Sequence, residues 1–190
     1  MNHAHTQTTH DTNSRATTRR LGVSLGITLL FVAVEIAAGI FSHSLALLTD
    51  AAHNLTDVLA LALTMWAFTM ALKPAHSGKT YGYHRAGILV ALVNSSSLAL
   101  IAGGIFVEAV RRIINPPEVN AGILIWVSLA AVLVNLVTAL LVRRGSDHDL
   151  NLRSAFLHLM GDVFSTVGAL TAGIIIHFTD AWWLDPLVSI

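Results

Sequence analysis

The stretch "AAHNLTDVLALAL" (Ala51–Leu63) sets a histidine and a carboxylate inside an apolar run, and "FLHLMGDVFSTVG" (Phe156–Gly168) repeats the arrangement. In each, the acid follows the histidine by four residues: His53 and Asp57, then His158 and Asp162. Residues four apart stack on one face of an α-helix, about 6 Å apart along its axis. Each stretch therefore presents an imidazole and a carboxylate in one direction. The runs around them are near the roughly 20 apolar residues that a helix needs to cross a bilayer. The repeated pair thus reads as intramembrane, and the fold class follows from it: an all-α membrane protein.

Composition agrees. Of 190 residues 54% are hydrophobic and 12% charged, against about a quarter charged in soluble domains. The formal net charge of +0 leaves no electrostatic footprint for a nucleic acid. The chain has no cysteine, which excludes disulfides and thiolate metal sites.

Outward from the two stretches, spans are expected near residues 21–41, 45–72, 86–111, 121–142 and 153–178. A sixth opens at 183–190, so the expected architecture is a six-helix transmembrane bundle with the sixth helix cut short, as in a truncated chain. Residues 1–20 form a polar tail with His3, His5 and His10, read as disordered and solvated. The first span is too long for the apolar core of a signal peptide. "INPPEVN" (Ile114–Asn120) is a turn, since proline cannot continue a helix. The tryptophans of "HFTDAWWLDP" (His177–Pro186) suit the membrane–water interface.

Arg15, Arg19, Arg20, Lys73, Lys79, Arg85, Arg143, Arg144 and Arg153 fall on one side, and only Arg111 and Arg112 on the other. The positive-inside rule then places the N-terminus in the cytoplasm. The second span runs inward and the fifth outward. Packed antiparallel, they bring two imidazoles and two carboxylates together. Tetrahedral zinc accepts such a set; copper(I) would want thiolates, and magnesium or calcium more oxygens. The two pairs reach one depth only if the fifth helix starts before Arg153, near Asp149.

Other intramembrane polar groups give weaker signals. Asp50, one turn before His53, reads as an acceptor behind a histidine or part of a transit path, with proton carrier or helix cap as alternatives. Glu35 and Glu108 have no evident partner. Asn94, Ser95, Ser96, Ser97, Asn135 and Thr138 suit helix packing or a hydrated cavity, and Gly103 and Gly104 packing.

The stretches "SLALLTDAAHNLTDVLAL", "YGYHRAGILVALVN", "EAVRRIINPPEV", "AFLHLMGDVFSTVG" and "WWLDPLVSI" resemble the cation diffusion facilitators, and within them the bacterial zinc-exporting branch. The likeness covers most of the chain after Leu21. It implies a homodimer in the bacterial inner membrane that exports zinc in exchange for protons, and it carries the zinc site onto His53, Asp57, His158 and Asp162. Zinc is then the transported substrate and no cofactor is expected. Cadmium and other divalent cations are further candidate substrates. The family's "HRAE" reads "HRAG" here, with Gly87 in the acid's place, so that acid's role does not carry over. Members usually continue into a cytoplasmic domain, and some hold zinc in the loop where His76 and His84 lie; a solvated loop is the expectation for these two.

Two rival readings are a zinc-dependent intramembrane hydrolase and a structural membrane protein with polar helix contacts. The first conflicts with four convergent ligands, since catalytic zinc keeps an open position, and with the lack of an HExxH helix. The second explains one intramembrane histidine but poorly explains a repeated pair.

Overall fold

The computed structural model describes Gly26 and residues 28–71, 86–143 and 150–190. The tail at 1–20, the start of the first span and the loop with His76 and His84 lie outside the described residues. The described chain is helical: α1 (Thr28–Ser42), α2 (Leu45–Ala71), α3 (Ala86–Ile114), α4 (Ala121–Arg143), α5 (Leu150–Thr179) and the short α6 (Leu184–Val188). Among the described residues, three helical stretches are long and apolar enough to cross a membrane: Gly87–Ile114, Ala121–Arg143 and Arg153–Thr179. The fold is that of an all-α membrane protein.

The turns are specified locally. α1 ends with Ser44 N–H bonded to Gly39 C=O (3.1 Å) and His43 N–H to Ile40 C=O (3.4 Å). This is the doubly bonded helix stop that needs a left-handed residue, supplied by His43 at φ 57°. A non-glycine residue there costs about 1–2 kcal/mol, offset by the contacts the turn makes. Arg112 at the end of α3 donates to the His43 carbonyl (2.6 Å) and to Glu108 Oε1 (2.8 Å). Asn120 N–H bonds Ser42 C=O (2.9 Å), while its side chain caps α4 by accepting from Ile123 N–H (3.2 Å). α5 stops at Asp180, also left-handed, whose N–H bonds Ile176 C=O (2.9 Å).

These turns gather at one end of the bundle, where the apolar core sits. Ala46 and Leu47 of α2, Val119, Ala121 and Leu124 around the start of α4, and Ala169 and Ile176 of α5 form it, with Trp182 and Leu184 packed on top. Small residues let the helices approach. A Cβ on Gly173 would lie 3.0 Å from Leu124 Cγ, and one on Gly39 would lie 2.8 Å from Leu48 Cγ. Among the described residues Gly103 and Gly104 meet no packing neighbour, contrary to expectation: nothing lies within 4 Å of a Cβ built on either, and both are exposed on α3. Gly87 is likewise open.

Two further expectations are corrected. Glu108 has partners: Arg112 (2.8 Å) and Arg111 (3.8 Å), four and three residues along the same helix face. Glu35, fully buried on α1, accepts from Asn54 Nδ2 of α2 (3.4 Å).

Candidate metal centre

The start of α2 is held from across the molecule. Asp185, fully buried at the start of α6, accepts from Ser44 Oγ (2.5 Å), Leu45 N–H (2.6 Å) and Ala46 N–H (3.3 Å). The first N–H groups of a helix lack intrahelical partners. A carboxylate 140 residues further along the chain satisfies two of them here. Ser44 Oγ in turn accepts from Leu47 N–H (3.3 Å) as the local cap. His53 lies eight residues beyond this anchored start, about 12 Å along the axis. On the other helix His158 lies eight residues beyond Leu150, where α5 begins.

The two helices meet antiparallel, and their polar residues pair crosswise. Asp50 Oδ2 lies 3.5 Å from Thr166 Oγ1, His53 Nε2 lies 3.4 Å from Asp162 Oδ1, and Asp57 Oδ2 lies 2.8 Å from His158 Nε2. Each step toward the C-terminus of α2 is matched by a step toward the N-terminus of α5. Within each helix the pairs are looser: His53 to Asp57 is 3.7 Å and His158 to Asp162 is 4.0 Å. The imidazole centroids are 5.7 Å apart, with the rings inclined at 56°.

Four nitrogen–oxygen separations between 2.8 and 4.0 Å thus close a ring of four donors. Zinc bound tetrahedrally at about 2.0–2.1 Å from N and O would hold its ligands about 3.3 Å apart. The observed separations straddle that value. His53, His158 and Asp162 each offer an atom within 4.8 Å of the others, and Asp57 joins through both histidines. Asp162 is nearly buried, with 9% of its side chain exposed, whereas Asp57 at 40% and His158 at 50% face an open side. The cluster is a cleft rather than a sealed chamber.

Around it lies polar support, of which the sequence singled out Asn135 and Thr138 but not Thr166. Thr166 donates to the Asp162 carbonyl (2.7 Å) and accepts from Asn135 Nδ2 of α4 (3.4 Å). Thr166 follows Asp162 by four residues, so the same spacing that marks the histidine–aspartate pairs marks it too. A cavity of about 50 Å³ abuts Asp162, with Thr28, Asn54, Asn135 and Thr138 among its walls. Its size and polar walls suit a water molecule.

Apolar spans around a cluster of imidazoles and carboxylates define an integral membrane protein whose helices bring residues of metal-ligating type together. The chain belongs to the cation efflux family: residues 21–190 match the family's Cation efflux transmembrane domain. A cadmium, cobalt and zinc/H(+)-K(+) antiporter of Bacillus subtilis (strain 168) is 39% identical over 183 residues, covering 95% of this chain and 59% of the relative. The zinc transporter ZitB of Pectobacterium atrosepticum is 38% identical over 190 residues, 100% of this chain and 57% of the relative. The metal cation efflux system protein CzcD of Cupriavidus metallidurans is 34% identical over 172 residues, 90% of this chain and 54% of the relative. The chain spans a little over half the length of these relatives.

Proposed function

We propose that this domain moves zinc, and with lower preference cadmium and other divalent cations, out of the cytoplasm in exchange for protons. His53, Asp57, His158 and Asp162 hold the ion during transit, and zinc is substrate rather than cofactor. The observation that carries the reading is the crosswise pairing of two histidine–aspartate pairs on two antiparallel helices. Four donors fill zinc's tetrahedral shell and leave no position for a reacting water, which favours carriage over hydrolysis. The membership in the cation efflux family and the relatives' names support the same reading.

Proton coupling has a simple source. Imidazole and carboxylate bind metal through lone pairs that protons also seek, so acid on the far side expels the ion and loss of protons on the near side resets the site. Access alternates as helices rock about the cluster. The transporter sits in the bacterial inner membrane as a homodimer, with its N-terminus in the cytoplasm, a reading that the distribution of basic residues supports.

The test is zinc uptake by everted membrane vesicles with an acidic lumen. Zinc accumulates while the gradient stands and leaks back when it is collapsed. Uptake indifferent to the gradient would remove proton exchange, and absence of zinc uptake would remove the transport reading itself.

A further inference from the structure

The cavity of about 50 Å³ beside Asp162 receives a polar side chain from each of four helices: Thr28 of α1, Asn54 of α2, Asn135 and Thr138 of α4, and Asp162 of α5. Of these only Asp162 belongs to the candidate metal cluster. The volume is several times the roughly 10–15 Å³ that one water needs, so the space admits an ion that keeps part of its water shell. No lysine or arginine is among the residues that line it.

The local hydrogen bonds leave oxygens as the groups this wall can offer. Asn54 commits an amide hydrogen to Glu35 Oε2 (3.4 Å), and Asn135 commits one to Thr166 Oγ1 (3.4 Å). Thr138 donates its hydroxyl hydrogen to the Val134 carbonyl (2.8 Å). An amide oxygen only accepts, and a hydroxyl whose hydrogen is spent accepts through its remaining lone pairs. Three neutral oxygens thus accompany one carboxylate. Helix packing accounts for Asn54 and Asn135, each of which bonds a second helix. It does not account for Thr138, whose bond stays within α4 while its side chain lines the cavity. Polar groups inside membrane spans are costly and mark pathways by default.

The lining residues also fix where the cavity leads. Glu35 of α1 meets Asn54, and Thr28 precedes Glu35 by seven residues, about 10 Å further from the α1–α2 turn. On α4 Thr138 lies beyond Asn135, and on α5 Leu159 lies before Asp162. All three continue away from the apolar core around Leu47 and Leu124, toward the end of the bundle where α4 stops at Arg143 and α5 starts at Leu150.

We propose that this cavity is a transit site for the cation, separate from the tetrahedral set: a divalent ion still carrying water is held there by the oxygens of Asn54, Asn135 and Thr138 with Asp162, and then exchanges the neutral oxygens for His53, His158 and Asp57. Neutral oxygens hold an ion less firmly than the cluster does, and a step on a path must bind weakly enough to release. The inference rests on the transport reading above, whose orientation makes this end the cytoplasmic approach.

The experiment measures zinc association and dissociation rates by stopped flow with a chromophoric chelator, on the purified full chain and on Thr138→Val, Thr138→Ser and Val134→Leu. Thr138→Val keeps the side chain's shape, breaks no interhelical hydrogen bond and removes one oxygen. Both of its rates should fall together by roughly tenfold, the loss expected for one oxygen opposite a charge, so that equilibrium affinity holds. Initial zinc uptake by everted vesicles at zinc concentrations far below saturation should fall by the same factor. Thr138→Ser, which keeps the oxygen, should restore native rates. Val134→Leu narrows the cavity with every oxygen in place and should slow both rates as well, which keeps the test open if Thr138→Val folds poorly. Native rates in either variant with a native thermal melt would overturn the proposal. So would a weaker affinity caused by faster dissociation alone, which would put Thr138 at the cluster rather than on its approach. A native protein that binds no zinc would overturn the reading of the cluster instead.

Discussion

Replacing Asp185 tests whether the start of α2 governs the metal cluster from a distance. Asp185 is fully buried and accepts three hydrogen bonds, two from α2 backbone N–H groups and one from Ser44 Oγ. In Asp185→Asn one oxygen remains to serve Ser44 and Ala46, but the amide nitrogen faces Leu45 N–H, donor against donor. A buried donor left unpaired costs about 1–3 kcal/mol. In Asp185→Ala all three donors lose their acceptor, so the cost rises to several such increments, reduced by whatever water enters. The expected order of thermal stability in detergent is native, then Asp185→Asn, then Asp185→Ala. Zinc affinity, measured by competition with a chromophoric chelator, should fall in the same order although all four ligands are present. His53 and Asp57 depend on the register that this anchor sets for α2, and each 1.4 kcal/mol of lost register is a tenfold loss in affinity. Native stability and native affinity in Asp185→Ala would refute the idea that α6 anchors the site.

Asp57→Ala or Asp162→Ala should each abolish zinc transport in vesicles while the protein still inserts, since each removes one of four donors and insertion depends on the apolar spans. His53→Asp should shift the zinc-to-cadmium preference toward cadmium in competition transport assays, because donor type and geometry set metal choice; an unchanged ratio would count against a ligand role. Gly39→Ala should destabilise by about 1–3 kcal/mol, as its Cβ would meet Leu48 at 2.8 Å, whereas Gly104→Ala, with nothing within 4 Å, should be neutral or gain up to about 1 kcal/mol of helix propensity. Thermal melting of the two variants side by side checks the contrast.

The sequence contained the four candidate ligands because a spacing of four residues is a local fact about a helix face, and the basic residues set the relative direction of the two spans. The antiparallel register followed once both were known. Glu108 with Arg112 was equally legible, being an acid and a base four apart, and reading Glu108 as partnerless overlooked that spacing. Glu35 was different. Its contact with Asn54 depends on how α1 folds back onto α2, which the left-handed His43 and the close approach of Gly39 to Leu48 decide. No pattern in either helix alone encodes that. Asp185 is further still from local reading: its partners lie 140 residues earlier, and only the packing of α6 on the α1–α2 turn brings them together.

The crosswise pairing has a mechanical consequence for the proposed cycle. α5 packs along α4 over much of its length, with Gly173 against Leu124 and Asn135 bonded to Thr166, but meets α2 at few points. Each helix holds half of the donor set, so a small separation of α2 from the α4–α5 pair lengthens His53–Asp162 and Asp57–His158 together. Cation binding must then favour the arrangement in which the helices are close, and protonation of the donors removes that preference. The cluster is open at Asp57 and His158, and a small polar cavity abuts Asp162. Tilting α2 about its anchored start at Leu45 would widen one approach without disturbing the core around Leu47 and Leu124. The apolar core and the Asp185 anchor thus occupy the end of the bundle that such a motion leaves still, and the ligands occupy the part that it moves.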